Sequence, residues 1–267
     1  MLLYFSKTGT KIRLFFRNSI IHRIFVRILL FFLTKSKKCI AKTLKITSSM
    51  LRTSDLLLAE YIEQHSSAEP AYLQTIARTT YQHAVNPHML SGHVQGRLLA
   101  MLSRMIGPKH ILEIGTYTGY SALCLAEGLA EEGHLITIER NDEIEEQIRH
   151  NLSLSELGQH IDLRIGDALQ IIPSLPIDQP FDLIFIDGDK REYLLYWNAV
   201  KDLLTADGWI IADNTLWDGH IIDPAYDRDA QTKGLRAFNN EVAQDPQWDK
   251  VIIPIRDGLT LLTRKTT

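Results

Sequence analysis

Cysteine is scarce in this chain: two among 267 residues, Cys39 and Cys124. They lie far apart and match no metal spacing, which removes the case for a disulfide-stapled secreted fold and points to two reduced thiols in a cytoplasmic protein. Long apolar runs are missing as well. The most apolar part, Ile20–Leu33, is broken by Arg23 and Arg27, and its longest unbroken piece is Ile28–Leu33. A spanning helix needs roughly 18 apolar residues, so none is expected here. Two arginines in that stretch, with no clear small-residue cleavage site after it, also make a poor secretory signal.

Acid is absent from residues 1–49, which hold 11 of the 29 Lys and Arg. That leaves 18 basic residues against all 32 acidic ones in the remainder. So acidic a body is no general nucleic-acid binder, since phosphate binding needs concentrated Lys and Arg. Three readings of residues 1–49 stand: a basic amphipathic helix on an anionic membrane, an organelle-targeting segment, or an upstream extension with Met50 as the true initiator. The abrupt composition change at Met50 favours the last. Residues 50–267 then form the functional domain, with no internal repeat and no low-complexity linker.

That domain is organised around Ile111–Ser121, ILEIGTYTGYS. A short apolar strand ends at Gly115, three residues intervene, and Gly119 opens an apolar helical pattern. Glycine is needed where backbone turns tightly against a ligand, and the following helix directs its N-terminal N–H groups to the same place. Upstream, helices are expected after Ser54-Asp55 (Leu56 to Ile62), over Tyr72–Tyr81, and through Val94, Leu98, Leu99, Leu102 and Met105, ending at Pro108. Asn86 to Gly92 reads as a loop.

Downstream the pattern alternates as in a doubly wound α/β sheet. Strands are expected at His110–Ile114, Leu135–Glu139, Ile161–Ile165, Phe181–Asp187 and Trp209–Asp213. Helices fall over Asp142–Leu152, Ala168–Leu175, Tyr193–Leu204 and around Gly234–Ala243, the last after a polar loop, Thr215–Ala230. Val251–Ile255 and Leu259–Thr263, joined by Arg256-Asp257-Gly258, read as an antiparallel hairpin at the sheet edge.

Several residues fit a site at the carboxyl ends of these strands. Glu139 stands where an acidic residue accepts hydrogen bonds from both hydroxyls of a ribose, although it could also cap the next helix. Glu113 takes the place of the first glycine of a dinucleotide fingerprint. A carboxylate repels a pyrophosphate but suits the amino group of a methionyl tail, and Gly166-Asp167-Ala168 fits a turn around an adenine edge. Together they favour S-adenosylmethionine over NAD. Asp187, Asp213 and Asn214 offer oxygen donors on matched strand ends, a set suited to Mg²⁺ or a similar ion. Lys190 follows Asp187 by three residues. A cation beside it favours its neutral form, which makes it a candidate general base. Trp217 either stacks on an acceptor ring at the site mouth or packs in the core. His83, His88 and His93, spaced by five, put no pair on one helix face.

Glu113 to Ser121, Glu139, Gly166-Asp-Ala168, Asp187-Gly-Asp-Lys190 with Tyr193 and Tyr196, Asp213-Asn-Thr-Leu-Trp217 and Arg256-Asp-Gly-Leu259 together resemble the cation-dependent O-methyltransferases of the catechol and caffeoyl-CoA type. The resemblance covers residues 50–265. It implies a Rossmann-like, doubly wound, mostly parallel seven-stranded sheet with an antiparallel C-terminal hairpin strand, and a homodimer. It implies that Met89, Ser91, Glu113, Gly115, Thr116, Ser121, Glu139, Ala168, Asp187, Asp189 and Tyr196 line the S-adenosylmethionine site. It further implies Asp187, Asp213 and Asn214 as metal ligands and Lys190 as base. Gly188 departs from the alanine usual in the plant enzymes, and the loop His220–Lys233 does not look like their CoA-contacting region. A small catechol or other vicinal diol is therefore the expected acceptor. Two rivals are a tRNA wobble-uridine hydroxyl as acceptor, and a membrane-docked binding protein with an inert nucleotide fold.

Overall fold

Strands buried on both faces need apolar residues at consecutive positions, and the short runs ILEI, LITI and LIFI supply them. In the computed structural model, which describes residues 56–176 and 179–265, these runs form the middle of a seven-stranded sheet. The strands are β1 His110–Ile114, β2 His134–Glu139, β3 Ile161–Ile165, β4 Phe181–Ile186, β5 Leu204–Ala212, β6 Trp248–Ile253 and β7 Leu259–Arg264. Their spatial order is β3-β2-β1-β4-β5-β7-β6. The order reverses between β1 and β4, the place where open α/β sheets leave a ligand crevice.

The C-terminal hairpin is antiparallel and lies at the sheet edge, as expected. β7 inserts between β5 and β6 and pairs antiparallel with both, so β7 alone runs against the others. Its connection is longer than an Asp-Gly turn. Arg256 and Gly258 carry the positive φ values, 46° and 89°, and the strands end at Ile253 and resume at Leu259.

Side chains alternate between two apolar layers. Leu112, Ile114, Ile184, Ile186 and Ile210 pack on one face against helices α5 Ala168–Ile171, α6 Tyr193–Val200 and α7 Ala230–Gln244. Ile111, Leu135, Leu183, Phe185 and Ile211 face the other layer, with α1 Ala71–His83, α2 His93–Ile106, α3 Tyr120–Ala126 and α4 Glu145–Leu152. The expected charged helix, Asp142–Leu152, begins as a 3₁₀ turn, and Ala168–Leu175 ends as one.

Helix α2 is rotated from its expected face. Its buried residues are Gln95, Gly96, Arg97, Leu99, Ala100 and Ser103, whereas Met105 is 81% exposed. Most of the polar groups inside find a partner among the described residues, Arg97 Nε excepted. Arg97 pairs with Glu127 at 2.6 Å, and Ser103 donates to the Leu125 carbonyl. Gly107, in the left-handed region, ends the helix before Pro108 is reached.

Residues 56–64 form a helix that belongs to a unit separate from His65–Thr267, and its Leu56, Leu57, Leu58 and Tyr61 are exposed. Ser54-Asp55 and the readings made of residues 1–49 lie outside the described residues. Among the described residues, no helix is long and apolar enough to cross a membrane.

Candidate functional site

The turn after β1 explains both of its glycines. Gly115 has φ 96°, and a Cβ there would stand 2.3 Å from the Asp187 carbonyl oxygen. Only a residue without a side chain lets the ends of β1 and β4 approach so closely. Gly119, φ 82°, then caps α3. Between them Tyr117, at φ 49°, presents its N–H to Glu139 Oε2 at 2.8 Å, and Asn141 N–H binds Glu139 Oε1 at the same distance. Two backbone donors thus fix the Glu139 carboxylate at the end of β2. It keeps acceptor capacity for ligand hydroxyls, since a carboxylate offers about four lone-pair sites.

Glu113 lies deeper. It is wholly buried, paired in register with Thr137, which donates to Oε2 at 2.5 Å. Its Oε1 is buried with no hydrogen-bond partner among the described residues. Burial pushes its carboxyl up to about 8, and the bond from Thr137 only partly offsets this. A cationic group reaching Oε1 would complete the bonding of this carboxylate.

β4 and β5 run in register, Ile186 beside Ala212, so the residues that follow them stand side by side. Asp213 N–H binds the Ile186 carbonyl at 2.9 Å. Asp187 Oδ1 accepts from Lys190 Nζ at 2.6 Å, and the same ammonium donates to Tyr193 Oη at 3.0 Å. The Tyr193 hydroxyl in turn donates to the Asp213 carbonyl at 2.9 Å. Asp213 is 3% exposed and accepts from Gln95 Nε2 and from the Asn214 N–H. Burial, and after it the charge of Asp187, raise its carboxyl above the ordinary range. Only the Asp187 carboxylate has an ammonium against it, while Asp213 is held by neutral donors, which leaves a deficit of positive charge in an all-oxygen donor set. A hard divalent cation fits that set. Among the described residues no three His, Cys, Asp or Glu side chains group as a metal site; this trio is two carboxylates and an amide.

The wall beyond Asn214 is built from left-handed residues, Asn214, Trp217 and Asp218, with φ of 55°, 47° and 48°. Trp217 packs edge-on to His220, which stacks on Tyr226 at 3.5 Å. Arg236 of α7 holds this loop. It donates to the carbonyls of His220, Ile221 and Asp223 and pairs with Asp227.

One cavity of about 710 Å³ joins these pieces. Met89, Ser91, Gly115, Thr116, Ser121, Glu139 and Ala168 line it, as do Asp187, Asp189, Lys190, Tyr196, Asp213, Asn214 and Trp217. Of the expected site residues only Glu113 is behind the wall. Asp189 spends its carboxylate on Arg191, which holds it below the ordinary range. A methyl group at Gly188 would sit 2.9 Å from Tyr196 Cε2 and 3.1 Å from Ile114 Cγ2, so the tyrosine ring lies closer than an alanine would allow. Sequence reasoning missed Gln95 behind Asp213 and gave Tyr193 and Arg256 no task of their own. A glutamine on the Leu99 side of α2 was the available signal for the first.

The family described as O-methyltransferase matches residues 63–265. A caffeoyl-CoA O-methyltransferase of Eucalyptus globulus is 33% identical over 239 residues, covering 84% of this chain and 94% of the relative. One from Zea mays is 34% identical over 229 residues, covering 81% and 85%. Among solved structures, the O-methyltransferase TomG of Streptomyces achromogenes, involved in tomaymycin synthesis and in complex with S-adenosylmethionine, superposes with a TM-score of 0.72. It is 29% identical, with 77% of this chain and 95% of that one covered. An O-methyltransferase of Bacillus cereus in complex with S-adenosylhomocysteine gives 0.72 at 28% identity, covering 78% and 97%.

Proposed function

This chain belongs to the O-methyltransferase family and is an S-adenosylmethionine-dependent O-methyltransferase of the caffeoyl-CoA type, and we propose that it methylates one hydroxyl of a small vicinal diol, such as a catechol, with the help of a divalent cation. The observation that carries this reading is that Asp187 and Asp213 stand on adjacent strand ends, where the charge of Asp187 helps raise the Asp213 carboxyl and, of the two, the Lys190 ammonium contacts Asp187 alone. Asp187, Asp213 and Asn214 would hold a divalent cation, which would supply Lewis acidity to the acceptor hydroxyl.

The chain's own groups do the rest. As the free amine, Lys190 Nζ takes the proton of the reacting hydroxyl and becomes the ammonium, and Asp187 and Tyr193 hold that nitrogen in place. Glu139 orients the ribose of the methyl donor, and Glu113 Oε1 draws its amino group. Trp217 gives an acceptor ring a face to stack on. The hydroxyl oxygen then takes the methyl group: a C–O bond forms as the S–CH₃ bond breaks, and most of the rate gain is positioning.

The acceptor side argues against a polyanionic substrate. Between Trp217 and Lys233 stand Asp218, Asp223, Asp227 and Asp229 against Arg228 and Lys233. That balance suits an uncharged or cationic diol over a CoA thioester. The tRNA acceptor gains no support, because the relatives named are caffeoyl-CoA and tomaymycin-pathway enzymes. We carry the homodimer implied by the resemblance into this reading; sedimentation velocity measures it.

A methyl-transfer assay over catechol, a single phenol and caffeoyl-CoA tests the substrate class. Catechol should be methylated, the single phenol should not, and Trp217→Ala should raise the KM for catechol about tenfold, the loss of one aromatic contact of ~1.4 kcal/mol. Turnover confined to caffeoyl-CoA, itself a vicinal diol, would refute the small acceptor, and equal methylation of the single phenol would refute the diol reading.

A further inference from the structure

We propose that Arg256 is a positioning residue for the methyl-donor cavity: its guanidinium fastens the wall that carries Met89 and Ser91 to the β6–β7 hairpin. Nη1 donates to the carbonyls of Leu90, at 2.6 Å, and Ser91; Nη2 donates to that of His88 at 3.2 Å. The two partners are 165 or more residues apart in sequence, so no local turn accounts for the contact.

The wall needs such a tie. Residues 84–91 have little apolar anchorage: Leu90 is buried, but Met89 is 53% and Val85 93% exposed. A second tie is the Tyr117 hydroxyl, which donates to the Asn86 carbonyl at 3.1 Å. A cavity-lining arginine would ordinarily be read as an anion site. Here three carbonyls already occupy the guanidinium edge that faces the wall, which makes it a strut.

The backbone supports the same conclusion. Arg256 has φ 46°, a left-handed conformation that glycine adopts freely and arginine does not. Charge-assisted bonds to three carbonyls offset that strain. The same hairpin also steadies the opposite wall. The Asp257 carbonyl accepts from the N–H groups of Leu216, at 2.7 Å, and Trp217, at 3.2 Å. One short connection thereby sets the spacing between the Met89–Ser91 wall and the Trp217 wall, and Arg256 is its side-chain half.

The proposal rests on the reading of this cavity as the methyl-donor site, and glycine gives a clean test of it. Arg256→Gly removes the strut together with the backbone strain that its bonds offset, so the fold should melt near the wild-type temperature. Its affinity for S-adenosylhomocysteine, measured by calorimetry, should fall about tenfold, the loss of roughly one charge-assisted hydrogen bond. The KM for S-adenosylmethionine should rise in step while kcat holds, amide exchange should quicken over residues 86–91, and Arg256→Lys should recover part of the affinity. Arg256→Gly binding within about twofold of wild type would overturn the proposal. Glu139→Ala, measured alongside, separates the two failures. If it weakens binding and Arg256→Gly does not, the strut alone is wrong; if neither does, the cavity reading falls with it.

Discussion

Gln95 donates from Nε2 to Asp213 Oδ2 at 2.5 Å, joining helix α2 to the end of β5 across 118 positions of sequence. Both side chains are almost wholly buried, at 1% and 3% exposure. The amide therefore sets where the Asp213 carboxylate points and compensates part of its burial.

Gln95→Leu keeps the size of the side chain and removes the donor. It should destabilise the fold by about 1–3 kcal/mol in urea unfolding, because a buried carboxylate oxygen loses its partner. Affinity for Mn²⁺, followed by its paramagnetic relaxation, should fall by roughly 10–100-fold, as when a metal ligand loses its orienting neighbour. Wild-type values in both measurements would show that the contact has no role.

Glu113 makes methyl-donor binding a proton-linked event. Burial holds its carboxyl near pH 8 in the folded chain, against an ordinary value of 4.5. The fold keeps a proton that the unfolded chain has released, so this stabilising contribution is complete below pH 4.5 and is lost as pH rises through 8. The slope is about 1.4 kcal/mol per pH unit within that window. A cationic amino group at Oε1 reverses the shift. Binding of S-adenosylhomocysteine at pH 7 should therefore release a proton, seen as calorimetric heats that vary with the ionisation enthalpy of the buffer. Glu113→Gln should abolish that dependence, bind more weakly and hold its stability up to pH 8. Heats independent of buffer in the wild type would contradict the assignment.

Gly115 carries the contact between the two halves of the site. Gly115→Ala places a methyl group against the Asp187 carbonyl and forces a left-handed residue with a side chain. A loss of about 3 kcal/mol or more is expected in thermal unfolding, from strain and overpacking together. A variant as stable and as active as the wild type would mean that β1 and β4 can separate without consequence for Asp187.

Much of this site was legible because strands of a parallel sheet end on one edge. Asp187, Asp213 and Asn214 could be placed together from strand ends alone, and Glu139 from its distance beyond Gly119. Gln95 was not, because the apolar positions of α2 pointed to a face containing Met105. The helix instead buries Gln95, Arg97 and Ser103, whose partners come from β5 and from the end of α3, contacts that no local pattern announces. The hairpin was recognised from Asp257-Gly258, but the left-handed arginine before them was not. Its conformation is held by carbonyls of residues 88–91, remote in sequence. Glu113 stands out in the sequence as a carboxylate where a dinucleotide site wants glycine, but its place just behind the cavity wall, bonded to Thr137, follows from the register of β1 with β2.

The most direct test is transfer of a labelled methyl group from S-adenosylmethionine to catechol in three conditions: with EDTA, with Mg²⁺ restored, and with Mg²⁺ and Asp213→Ala. The account predicts no turnover in EDTA, full recovery on adding Mg²⁺, and no recovery in the variant although it still binds S-adenosylhomocysteine. Undiminished methylation in EDTA would contradict it.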